Sequence, residues 1–237
     1  MNKLILLCLI LIHHLSIAQG VIDLNNKNYK KCNTTFLVNK EYEETPEYLT
    51  IREKLIDQDR KFLNNSHLNA TKEIITLPVV IHVIHRNTHS NIGTGTNISN
   101  AKIEDALRIL NEDYSKTNPE FPNPLAVGGR NTFLNQSANA NLEFCLANTD
   151  PNGNITTGIT RTLATNSNGT FDADDNTDAN AMKRTVLGGK DGWTPSKYLN
   201  IWICDLVNSQ GGGTTLGYAY LPGLPSWTAW KDGLVVD

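Results

Sequence analysis

The chain has 237 residues, with 21 basic and 24 acidic side chains and a net charge of -3 at pH 7, so no basic field points to nucleic acid. Hydrophobic residues make up 39% of it, a low but globular share diluted by Asn, Thr and Gly. No stretch reaches the about 20 apolar residues that span a bilayer.

At the amino terminus, Lys3 precedes an apolar run from Leu4 to Ile12. Ser16-Ile17-Ala18 then offers small residues for signal peptidase, with Gln19 as the new terminus. This is the pattern of a secretory signal over residues 1–18. It implies a secreted or extracellular protein with no membrane attachment after cleavage. Cys8 lies inside the run and is removed, leaving Cys32, Cys145 and Cys204. An odd number of cysteines in an exported chain leaves at least one thiol without a partner within it.

Residues 19–72 are polar and charged and read as a pro-segment or N-terminal arm. Thr45 caps and Pro46 opens one predicted helix, whose apolar positions are Tyr48, Ile51, Leu55 and Phe62. Residues 73–237 carry the main domain. Leu77 to Ile84 is a nearly continuous β-branched run, as in a strand buried on both faces. The next helix starts at a Ser99 cap with Ile98 and Ile103 as its staple, and Asn118-Pro119 is expected to stop it. A strand at 141–147 completes a βαβ unit with a right-handed crossover.

Asp150-Pro151-Asn152-Gly153 is a turn, followed by a weakly alternating strand from Ile155 to Leu163. Thr165 to Asn180 reads as a polar, acidic loop. Tyr198 to Leu206 is a strand with Leu199, Ile201 and Ile203 opposite Trp202 and Cys204. Gly211 to Gly213 is a break, Leu216 to Leu221 a short strand, and Leu234-Val235-Val236 a last one. The whole is α/β, with a mostly parallel twisted sheet of about five strands.

Several of these segments, in this order, resemble the pappalysin (cytophagalysin-like) metallopeptidases, a branch of the metzincins. They are Leu77 to Ile84, Ile98-Ser99 leading to Leu110-Asn111-Glu112-Asp113-Tyr114, Leu142 to Ala147, and Asp150 to Gly153. Thr157 to Arg161, Gly188 to Trp193, Tyr198 to Cys204 and Leu216 to Ala219 complete the set. The resemblance implies a metzincin-like upper catalytic subdomain, with a backing helix and one antiparallel edge strand lining the cleft. It implies a zinc metalloendopeptidase acting on protein or peptide substrates, in which a helix bearing H-E-x-x-H-x-x-G-x-x-H holds the metal. That motif does not occur in this sequence. The expectation is therefore a fragment, inactive as written, with an apolar sheet face left exposed where the zinc-bearing helix would lie. The alternative is a non-catalytic extracellular binding module derived from the same fold.

Within the resemblance, Thr215, Leu216, Gly217, Tyr218, Ala219 and Tyr220 form the edge that would hydrogen-bond an extended peptide. Cys32, in Lys31-Cys32-Asn33-Thr34, resembles the pro-segment cysteine that keeps family members latent by ligating zinc; a spare thiol, or a disulfide to a partner outside the chain, is the plainer alternative. If the family's strand order holds, Cys145 and Cys204 lie on either side of the first strand, too far apart to bridge.

Three other patterns invite a site. His82, His85 and His89 would share a face on a helix, but the Val/Ile run places them on a strand, with His82 a core residue and His89 in a loop. Asp172, Asp174, Asn176 and Asp178 alternate like calcium ligands, yet Thr177 stands where Gly is needed and Lys183 where the bidentate Glu belongs. A solvated acidic loop is the preferred reading, with calcium unsupported. Gly188-Gly189-Lys190-Asp191-Gly192 lacks phosphate-loop spacing and reads as a turn before Trp193.

Overall fold

The computed structural model describes residues 30–65, 73–119, 137–166, 168–175, 177–209 and 213–237. The signal segment with Cys8 and Gln19, the two ends of the arm, Asn176, Gly211 and Gly212 lie outside the described residues.

The centre of the fold is strand β2 (Ile75–His85), in which Val79, Val80, Val83 and Ile84 are wholly buried. Alternate side chains of a strand face opposite ways, so burial of consecutive residues requires cover on both faces. One cover is helix α3 (Asn100–Ser115), the third α-helix among the described residues. Ser99 caps it, its hydroxyl accepting from the Lys102 N–H at 3.3 Å, as the sequence requires. The helix ends earlier than expected. Lys116 adopts the left-handed conformation (φ 60°) and donates its N–H back to Asp113, so closure comes two residues before Asn118-Pro119.

Strands β3 (Leu142–Leu146) and β4 (Ile159–Leu163) pair parallel with successive halves of β2 on one side. Strand β6 (Leu199–Ile203) pairs parallel on the other side. Beyond it lies β9 (Leu234–Val236), parallel to β6, and then β8 (Thr214–Ala219), antiparallel to β9. The sheet has seven strands rather than five, and β8 is not its edge. Outside β8 lies β1 (Lys30–Cys32), from the arm, in parallel register.

The alternation read in β6 is met. Leu199, Ile201 and Ile203 join Ile103, Leu107 and Phe144 beneath α3. Trp202 and Cys204 belong to a second core with Tyr218 and Val235 on the opposite face. That face is not bare, contrary to expectation. Helix α1 (Thr34–Glu44) covers it with Leu37 and Val38, together with Phe171, Ala173, Ala179 and Met182. The arm thus has two helices, α1 and α2 (Pro46–Asn65), where the sequence suggested one. Phe62 does not join the α2 apolar face; it is 63% exposed.

Residues 165–180 also differ from a solvated loop. Strand β5 (Phe171–Asp172) pairs with β7 (Leu206–Val207), and a helical turn at Asp178–Lys183 is buried. The carboxylates there serve the backbone. Asp172 accepts from the Asp174 and Ser209 N–H groups, Asp178 from that of Asp172, and Asp175 from those of Thr177 and Asp178. Cys145 and Cys204 are free thiols with β2 between their strands.

Candidate functional site

The edge proposed for peptide contact is β8, and its outer side is already filled. Lys30 pairs with Thr214, Lys31 with Thr215 and, across a bulge, Cys32 with Gly217. The pairing then continues with one backbone and one side-chain bond: the Asn33 N–H donates to Gly217 O at 3.1 Å, and the Ala219 N–H donates to Thr34 Oγ1 at 3.0 Å. The backbone groups expected to be open to a substrate are therefore taken by the arm. Gly217 is glycine for a local reason, because a Cβ there would lie 2.5 Å from the Val235 carbonyl oxygen.

The side chains of this edge divide by face. Thr215, Tyr218 and Tyr220 are buried. Thr215 exchanges hydrogen bonds with Asn208, Tyr218 donates to Ala179 O, and Tyr220 accepts from Asn180 Nδ2 at 2.7 Å. These three hold the fold. Leu216, Gly217 and Ala219 stay at least partly exposed.

A parallel strand of three residues is a weak attachment, so side chains must hold the arm. Asn33 Nδ2 donates to Ala173 O at 2.6 Å, and Leu37 and Val38 enter the second core. Glu41, only 2% exposed, meets Lys231 Nζ at 2.5 Å and accepts from Thr45 Oγ1 at 3.1 Å. Thr45, predicted as a helix cap, thus spends its hydroxyl on the preceding helix. Tyr48 is wholly buried and donates to Leu221 O at 2.5 Å, and burial pushes its phenol up to about 12. Arg52 donates to Pro222 O at 3.2 Å.

Beneath Lys231 lies Lys183, fully buried, a residue whose importance the sequence did not signal. Its ammonium donates to Lys231 O at 2.5 Å and sits 5.0 to 5.7 Å from the ring centres of Tyr220, Trp202 and Tyr218. Rings can hold a desolvated cation through their negative faces. Burial, first, lowers its pKa to about 7, with Asp232 opposing the shift.

Cys32 ends β1 with an exposed, free thiol that donates to Thr34 Oγ1 at 3.2 Å. It is the candidate zinc ligand among the described residues of this edge. The histidines do not join it. His82 is buried between Thr160 Oγ1 (2.8 Å) and Asn200 Oδ1 (3.1 Å), stacked on Trp202 at 5.3 Å. Asn200 Oδ1 also accepts from the Trp193 N–H, so His82 Nε2 donates to it and Nδ1 accepts from the hydroxyl. Burial lowers its pKa to about 4, and the ring is a neutral core group, as the sequence indicated. His85 bonds to Arg86 O and His89 to Thr96. Among the described residues, no group of three His, Cys, Asp or Glu could hold a metal ion.

Gly188 to Gly192 forms a turn, as expected. A Cβ on Gly189 would meet Met182 O at 2.1 Å, and Trp202 Nε1 donates to Lys190 O at 2.9 Å. The segment packs under Trp202.

A mostly parallel sheet backed by one helix, with β8 running against it, is a metzincin-like α/β fold. Among solved structures the chain is similar to mirolysin, a metzincin-type metallopeptidase. It is 31% identical to a point mutant of Tannerella forsythia promirolysin, with a TM-score of 0.63 over 87% of this chain and 59% of that one. It is 37% identical to Tannerella forsythia mature mirolysin in complex with a cleaved peptide, with a TM-score of 0.55 over 69% of this chain and 53% of that one. The same values hold for mirolysin in complex with compound 9. The chain thus spans 53% to 59% of the length of these structures. No family model and no curated protein matches it.

Proposed function

We propose that this chain is the pro-segment and upper catalytic subdomain of a secreted zinc-dependent metalloendopeptidase precursor of the pappalysin type. In this reading the arm keeps the protein latent by lying along the strand that would align a substrate. The observation that carries it is the pairing of β1 on β8. An extended peptide could take the same backbone groups by β-augmentation, and arm and substrate would exclude each other.

Two comparisons support the arm as a pro-segment. The match to promirolysin reaches 87% of the chain and that to mature mirolysin 69%. The difference is similar in size to the arm. The cleaved peptide bound to mature mirolysin supports a peptide as the substrate class here. Secretion rests on the signal-like residues 1–18.

Zinc is the metal this reading implies, and Cys32 is the residue of the arm that suits it: a free, exposed thiol on the strand that covers the edge. When bound, zinc would supply an activated water for attack on a peptide carbonyl. In this reading the zinc ligands and general base of the active form lie outside the described residues. What this chain does is hold an extended backbone on β8, order it through the rigid β9 and β6 behind, and block it with the arm.

The test uses the complete gene product. Cleavage of a protein substrate should appear when the arm is removed, and a zinc chelator should abolish it. Cys32→Ala should give a precursor that cleaves without processing, and a variant as latent as wild type would remove Cys32 from the account. Peptide binding without cleavage after arm removal would favour the non-catalytic module instead.

A further inference from the structure

The arm does more than cover backbone. Glu41 is a carboxylate carried by the arm into a buried position against the body, and its partner, Lys231, stays behind when the arm leaves. Beside the pair, where the arm meets the body, is a cavity of about 250 Å³. The arm contributes Leu37, Lys40, Glu41 and Glu44 to it; the body contributes Asn180, Tyr220, Trp230 and Lys231, among others. Lys231 Nζ lies 5.8 and 6.0 Å from the ring centres of Trp230 and Tyr220. Asn180 is 6% exposed and its Oδ1 has no hydrogen-bond partner. The body half is thus a recess walled by Tyr220 and Trp230, with the Lys231 ammonium in its lining.

Charge decides what this recess takes. With the arm in place, Glu41 offsets Lys231. Without it, Lys231 loses the carboxylate it is paired with, and its ammonium is left on the wall of the recess. The recess also adjoins the proposed substrate edge, because Tyr220 directly follows β8. A peptide lying along β8 in place of the arm would pass its mouth.

From this geometry we infer that Lys231, once freed of Glu41, is a carboxylate-binding subsite of the processed protein. Glu41 is its intramolecular occupant in the precursor, and the preferred peptides carry Glu or Asp where they leave the end of β8. The inference rests on the proposed role of β8 for its substrate meaning, but the recess itself can be tested without any cleavage.

The probes are two labelled synthetic peptides spanning residues 33–45, one native and one with Glu41→Gln, titrated into the complete protein after removal of the arm. Losing a charge-assisted hydrogen bond in a sheltered site should weaken binding of the Gln peptide about tenfold or more. The difference should collapse in Lys231→Gln and persist in Lys231→Arg. Equal affinity of the two peptides, or no binding of either, overturns the inference. If Lys231→Gln fails to fold, the two peptides on the wild-type protein decide alone. A second arm measures kcat/KM on matched substrates with Glu or Gln at each position, and one position should show a Glu preference that Lys231→Gln erases. A Glu-dependent arm peptide together with no cleavage of any substrate leaves the recess standing and overturns the peptidase reading.

Discussion

The two sides of the sheet are covered by different means. On the side where β3 and β4 flank β2, a single side chain meets one residue of β3: Asn111 Oδ1 accepts from the Phe144 N–H at 2.7 Å, and Asn111 Nδ2 donates to Phe144 O at 2.8 Å. The amide imitates a neighbouring strand for one residue, and it sits on α3, which is packed against the same sheet. At the β8 end a whole segment does the work, joined to the body through residues 66–72 and held by Asn33, Glu41 and Tyr48. An open sheet edge invites pairing with another chain. The contact at β3 comes from a helix packed in the domain core, whereas the strand on β8 pairs with β8 alone and is followed by helices that add Leu37, Val38 and Tyr48 to the second core. Reversible closure belongs where a ligand must later bind.

The sharpest way to break this contrast is at Asn111. Asn111→Leu orphans the N–H and C=O of Phe144, at about 1–3 kcal/mol each. Global stability in urea should fall by about 4 kcal/mol, and the protein should self-associate through β3. A change confined to local exchange near α3 would show that this edge is not part of the permanent fold.

A pH titration tests the body apart from the arm. His82 spans β4 and β6 through Thr160 and Asn200, and its folded pKa of about 4 lies below its ordinary 6.5. The unfolded chain takes up the proton first, so the contribution is complete above pH 6.5 and is lost as pH falls toward 4. For one buried group this amounts to roughly 3 kcal/mol. In His82→Gln, the slope of stability against pH between 4 and 6.5 should flatten. An unchanged slope would assign acid sensitivity to another group.

The smallest expected effect is at Cys32. Its thiol is exposed and makes one weak hydrogen bond to Thr34, so Cys32→Ser should change the thermal stability of the precursor by less than about 0.5 kcal/mol. A larger loss would give the residue a structural role in the arm and weaken the case for it as a zinc ligand.

Much of the body was legible in the sequence because its signals are local. The Val/Ile run of β2, the Ser99 cap and the alternation of β6 each fix an element within about ten residues. The fate of His82 followed from the same strand argument. The arm was harder. Helix α1 buries only Leu37, Val38 and Glu41, too few apolar positions to make a stripe. Strand β1 is three residues long and its partner lies at the far end of the chain, so no periodicity announces the pairing. Lys183 and Glu41 look like surface charges in sequence, and only tertiary packing makes them buried partners. Thr165 to Asn180 reads in sequence as a polar, acidic loop because Asp and Asn alternate with Ala, a residue small enough to pack tightly under the sheet while carrying little hydrophobic signal.

The central claim is that the arm occupies the strand a peptide would use. Amide hydrogen exchange across Thr214–Ala219, in the intact protein and after removal of residues 30–65, tests it most directly. The outward amides of β8 should be protected with the arm present, exchange at least tenfold faster without it, and regain protection when an extended peptide is added. Protection that stays the same after the arm is gone would mean that β8 is closed by something else, and the account of latency would fail.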